Sequence, residues 1–148
     1  MSSEKDTLEH REKVIGIAKL IMGQLVESVM KHDESKIQEP ELSIFDEYTP
    51  KLKNTTYGSD EYKAYLKEMA KALEHHYQAN RHHPEHFENG IRGMNLVDLV
   101  EMFCDWWAAS MRHNDGDIRR SIEINQDRFG YSDDLKAVLM NTVSLFNM

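Results

Sequence analysis

The side chains able to do chemistry in this sequence are imidazoles and carboxylates, and they are clustered. The chain carries eight histidines, and four of them, His75, His76, His82 and His83, fall within nine positions, with His86 just beyond. Upstream stands the adjacent pair His32-Asp33, and downstream Asp105 interrupts the apolar run EMFCDWWAA. Imidazole nitrogen with carboxylate oxygen is the donor set of zinc, iron, manganese or nickel. Asp105 is the sharpest clue, because a carboxylate in an apolar helix is costly unless it is paired or metal-bound. Each residue also has a plainer reading. His32 suits the negative end of a helix, Asp33 a solvated helix end, Asp105 a bridge to Arg112, and the histidine cluster an exposed loop. Asp98 and Glu101 read as a capping residue and a solvated or bridged acid. Taken together the plainer readings weaken, since independent accidents rarely assemble one ligand set.

Helical periodicity dominates the elements that must position these groups. A first helix is expected from near Asp6, with Glu9 completing a capping box, to about His32. Its inner face reads His10, Val14, Ile17, Ile21, Leu25, Val29, His32. Pro40 starts a short helix through Tyr48, and Pro50 ends it. After a turn at Tyr57-Gly58-Ser59, Ser59 caps a helix to about Asn80. There Tyr62, Leu66, Met69, Leu73, His76 and Asn80 share the inner face, which turns His75 to the flank. Arg81 to Gly93 reads as a loop. Asn95 caps a Trp-rich helix from Leu96 to about Arg112, with Asp98, Glu101, Asp105 and Arg112 as a polar stripe. Trp106 and Trp107 face about 100° apart, so one is a candidate to reach the surface at a homodimer interface. A turn at His113-Asn114-Asp115-Gly116 precedes helices at about Asp117–Arg128 and Asp133–Phe146, the latter capped by Ser132. These last helices read as core. Asp115-Gly116-Asp117 lacks the wider spacing of a calcium loop, and Arg119-Arg120 reads as a solvated face. Asn125, Gln126 and Arg128 are candidates for a pocket mouth.

Composition bounds the rest. At 148 residues the chain suits one domain spanning 1–148, and the absence of strand patterns makes it all-α, a compact helical bundle. The single cysteine, Cys104, excludes an internal disulfide and all but excludes a cysteine-based zinc site. No stretch approaches a membrane span, and the polar N-terminus is no signal peptide, so a reducing cytoplasm is expected. A net charge of −8 without a basic stripe argues against polymeric nucleic acid as a partner. A small anionic substrate stays open, because a bound metal supplies local positive charge.

An adjacent His-Asp closing a helix, followed by helical histidines and a lone later Asp, resembles the HD-domain superfamily of metal-dependent phosphohydrolases. The stretches KHDESK, HHYQANRHHPEHF and EMFCDWWAA are also similar to a family of small bacterial and phage proteins that brings no known activity. The HD resemblance implies a site of one or two divalent transition ions (Mn, Ni, Co, Zn or Fe) on His32, Asp33, His76, His82 or His83, and Asp105. Asp33 and Lys36 would be catalytic. Lys36, Asn80, Arg81 and Arg112, with Arg92, would meet a small phosphorylated substrate such as a nucleotide. The superfamily pattern has an earlier histidine, for which only His10 is available, yet continuous helix would put it about 33 Å from His32. Two other readings stand beside hydrolysis. One is an HD-type diiron oxygenase with four histidines and two aspartates. The other is a non-catalytic module that binds a nucleotide or protein. His82-His83-Pro84 also resembles the motif of pterin carbinolamine dehydratases, which combine strands with helices. No glutamate has a histidine three residues later, which sets aside a ferritin-like diiron site.

Overall fold

Six helices carry the chain: α1 Ser3–Met30, α2 Glu41–Lys53, α3 Asp60–Ala79, α4 Leu96–Ser110, α5 Ile118–Phe129 and α6 Asp133–Leu145. The structure is a computed structural model that describes residues 2–56, 59–112 and 116–146. Among these residues there is no strand, so the fold is the expected all-α bundle. No described helix is long and apolar enough to cross a membrane.

The starts of the helices follow local capping chemistry. The hydroxyls of Ser59 and Ser132 accept the backbone N–H groups of Tyr62 and Leu135. Asn95 and Asp98 form a reciprocal capping box. Gly130, at φ +65°, ends α5 in the left-handed conformation that glycine adopts without steric cost. Two expectations fail here. The cap of α1 is Ser2, whose hydroxyl accepts from Lys5, and Asp6 lies inside the first turn. Pro50 sits inside α2 and does not end it. The expected turns at Tyr57-Gly58 and His113–Asp115 lie outside the described residues.

The apolar core joins α4, α5 and α6. Phe103, Ile118, Ile122, Tyr131, Leu139 and Val143 form one buried cluster. Trp106 and Trp107 are half-buried against it, and Trp106 stacks on Phe129 with ring centroids 6.0 Å apart. Both tryptophans therefore serve this core. On the other flank, α2 packs against α3, and the 3-10 turn Glu34–Ile37 joins that pair to the end of α1.

The first helix departs most from its pattern. Its presumed inner face is not buried: none of its residues is, and only Leu25 and Ser28 are even half-covered. It meets α4 at its C-terminal end, where Ser28 and, just past the helix, His32 contact Glu101, and where Gln24 and Val97 line one groove.

Candidate metal centre

Three segments that are distant in sequence meet at the C-terminal end of α1. Just past that end Asp33 opens the 3-10 turn Glu34–Ile37 in the left-handed region, at φ 57°, which an Asp tolerates better than most residues. The bend folds its carboxylate back beside His32. The last turn of α3 brings His76 and Asn80, the loop after it brings His82 and His83, and α4 contributes Glu101 and Asp105.

The imidazoles are aimed by buried carboxylates. Glu41, fully buried at the start of α2, faces the Nδ1 of His75 at 2.6 Å and the Nδ1 of His76 at 2.9 Å. Glu101, also buried, faces the Nδ1 of His32 at 2.9 Å and the Nδ1 of His82 at 3.3 Å, and accepts a hydrogen bond from Ser28. A carboxylate on Nδ1 fixes the ring and leaves Nε2 free to act as a donor, which is how metal-binding histidines are commonly oriented. Asn80 supports His76 from behind: its side-chain N–H groups reach the His76 carbonyl and Ser35 Oγ, each at 2.8 Å.

The Nε2 atoms then converge. Those of His76 and His82 lie 3.3 and 3.4 Å from Asp33 Oδ1. His32 Nε2 is 3.5 Å from Asp105 Oδ1 and 3.6 Å from Asp33 Oδ2. His76 and His83 bring their Nε2 atoms within 2.9 Å of each other. One donor atom each from Asp33, His76, His82 and His83 falls within a 4.8 Å cluster, and so does one each from His32, His82 and Asp105. Two buried atoms at the focus, Asp33 Oδ1 and His82 Nε2, have no hydrogen-bond partner. Buried polar atoms are rarely left unsatisfied. Two orphans aimed at one point among nitrogen and oxygen donors fit a small cation.

Protonation follows from this crowding. The hydrogen bond that His32 donates to Asp105 leads in raising the imidazole, against its burial and helped by Glu101 and Asp33, to about 9. Burial, reinforced by the neighbouring His82 and His76, pushes His83 down to about 3, so its lone pair is available at neutral pH. Burial alone would raise Asp33, Glu41 and Asp105. For Asp33 the adjacent His76 and His82 imidazoles and the hydrogen bond from Lys36 prevail and hold it below the usual carboxylate range. His75, Ser35 and His76 do the same for Glu41, and His32 for Asp105.

The expected ligands His32, Asp33, His76, His82, His83 and Asp105 are thus brought together, and both members of the His82-His83 pair point inward. Lys36 joins them, with its ammonium 2.6 Å from Asp33 Oδ2. Asn80 stands behind His76, with its amide engaged by Ser35 and the His76 carbonyl. Arg81 is not brought to the site: its guanidinium forks onto both oxygens of Asp98, at 3.0 and 2.8 Å, and lies over Phe87. Arg112 is exposed past the end of α4, and no bridge from it to Asp105 forms among the described residues. His10 is far up α1 on exposed helix.

Three features were not legible in the sequence. Glu41 and Glu101 look like ordinary helix acids, and only their burial marks them. Arg120 was expected on a solvated face. It is exposed, as expected, and on that face it lines a cleft of about 420 Å³ that begins at His83 and Asp105 and runs past Trp106 and Phe129, a placement no sequence signal gives. Asn125 and Arg128 also line this cleft, and Arg128 is held by Glu85 at 2.6 Å. Gln126 turns away to Asp133 and the Tyr131 carbonyl.

No curated protein and no solved structure is significantly similar to the chain. One family's sequence profile matches residues 1–145, nearly the whole length. The chain therefore belongs to that family, a family of unknown function designated DUF5662.

Proposed function

We propose that this chain is a metal-dependent phosphohydrolase of the HD-domain type, acting on a nucleotide or similar small phosphoester. One observation carries the proposal. Four imidazoles converge on two aspartates, with two buried donor atoms at the focus that make no hydrogen bond. A divalent transition ion held there would supply a bound water with pKa near 7 and a Lewis acid for a phosphoryl oxygen.

The donors divide into two groups. Asp33 Oδ1, His76, His82 and His83 would hold one ion. His32 and Asp105 would hold a second, with Asp33 Oδ2 as the shared carboxylate. His82 cannot serve both groups through Nε2, so Asp33 is the natural bridge. Lys36 stands at the rim and can take one phosphate oxygen as Asp33 turns to its ions. The adjoining cleft has room for the organic part of the substrate. Its walls offer the Trp106 and Phe129 rings, the Asn125 amide and the Arg120 guanidinium, which has no partner among the described residues. In a chain of net charge −8, a cation at this place favours an anionic ligand.

The test is phosphate release from a panel of nucleoside monophosphates and simple phosphomonoesters, with manganese, cobalt, nickel or zinc supplied in turn. Turnover that vanishes in Asp33→Ala supports the proposal. Tight nucleotide binding with no turnover under any metal would replace hydrolysis with the binding-module reading.

A second reading has its own observation. Without His10, the donor set already counts four histidines and two aspartates, the complement of an oxygen-activating diiron site. Iron in the purified protein and oxygen consumption with a reductant would favour it. A reducing cytoplasm suits either chemistry and the one free cysteine.

A further inference from the structure

We infer that the first helix is a dimerisation arm, and that its occupant is the same arm of a second copy, lying antiparallel to it. Every residue from Ser3 to Gln24 is exposed, a run of about 32 Å at 1.5 Å per residue. A helix standing alone in water gains little from its own hydrogen bonds and depends on packing an apolar face. This one has such a face. Leu8, Val14, Ile15, Ile17, Ile21 and Met22 share one half of its circumference, and they are 38–59% exposed. At on the order of 100 Å² apiece, with the aliphatic stems of flanking lysines, they offer roughly 700 Å² per chain, close to the ~800 Å² one partner contributes to a standard interface.

The charges indicate what covers the face. The chain has a net charge of −8, so two copies repel over most of their surface. The arm is the exception. Glu4, Asp6, Glu9 and Glu12 are balanced there by Lys5, Arg11, Lys13 and Lys19. The balance is also polarised. Residues 3–12 hold all four acids and two of the bases, a net of −2, and residues 13–24 hold the other two bases and no acid, a net of +2. Antiparallel pairing lays the acidic half of each arm on the basic half of the other, as a two-fold, self-complementary contact requires. Parallel pairing would lay like on like. The stripe that packs on α4 at Leu25 and Ser28 continues outward as Ile21, Ile17 and Val14, so the two arms extend an interface that α1 already makes within its own chain.

The experiment is sedimentation of the full chain at micromolar concentration. The expected species is a dimer of twice 17.3 kDa. Ile17→Glu with Ile21→Glu raises the dissociation constant at least about 100-fold, since both copies lose both anchors. Leu20→Glu, on the opposite face, leaves the dimer intact. Unchanged helical circular dichroism and a cooperative thermal melt in each variant show that the rest of the fold survives. With Cys104→Ser as background, a spin label at Lys13 gives an intermolecular distance under roughly 20 Å, and one at Ser3 gives more than roughly 30 Å. A monomeric wild type, a dimer that survives the double substitution, or a short Ser3 distance overturns the inference.

Discussion

Glu101 Oε1 lies 2.9 Å from His32 Nδ1, and this contact turns the imidazole so that its Nε2 faces Asp105 and Asp33 at 3.5 and 3.6 Å. The same oxygen lies 3.3 Å from His82 Nδ1. One buried carboxylate on α4 therefore sets two of the four histidines, and Glu41 on α2 sets a third.

Glu101→Gln is expected to lower metal affinity by about 10- to 100-fold, the usual cost of losing a carboxylate behind a ligand histidine. Competition against a chromophoric chelator reads this directly. Asp98→Asn, one turn away, should leave affinity within about twofold, because Asp98 serves the cap and Arg81. Equal losses in the two variants would mean that the helix, and not the histidine geometry, was damaged.

The metal-free protein should be most stable near pH 6.5. His32 has its folded pKa raised to about 9. Its contribution is complete below the unfolded value of about 6.5 and is lost as pH climbs through 9. His83 is held down at about 3, so the folded state opposes its protonation and stability falls as pH drops from about 6.5 towards 3. Thermal melts in chelator between pH 4 and 10 check this, and a flat profile above pH 6.5 would refute the His32 assignment. Bound metal needs the His32 lone pair, so loading at pH 7 should release close to one proton from this group.

Arg120→Ala should raise KM for a phosphomonoester substrate about tenfold with kcat little changed, because the guanidinium meets the ligand in ground and transition states alike. Arg81→Ala should leave KM unaltered, since Asp98 occupies its fork. An unchanged KM in Arg120→Ala would remove the cleft from the substrate site.

Ile122→Ala should destabilise the fold by about 2–4 kcal/mol, since its fully buried side chain sits at the centre of the α4–α5–α6 core. Chemical denaturation with metal absent isolates this from ligand linkage.

Much of this was legible because the local signals are strong. Ser59, Asn95 and Ser132 act where their hydroxyls or amide can take a backbone N–H, so helix starts followed from residue type. The register of α3 placed His76 inward and His75 at the flank from period alone. The convergence of His32, Asp33, His76, His82, His83 and Asp105 followed from clustering and from the oddity of Asp105 among tryptophans. What failed needed tertiary information. The apolar stripe of α1 reads like any buried face, but α4 is too short to cover it. Glu41 and Glu101 are ordinary helix acids until the chain folds over them. Arg81 and Arg120 look alike in sequence, and only their neighbours divide them: Asp98 takes the first, and the second has no partner among the described residues.

The most direct test of the central claim is elemental analysis of the untagged wild-type protein beside the Asp33→Ala, Asp105→Ala double variant, each reconstituted with a mixture of transition metals and then desalted. The account predicts one or two equivalents of a transition metal in the wild type and none in the variant. A wild type that retains no metal, or a variant that retains as much as the wild type, would contradict it.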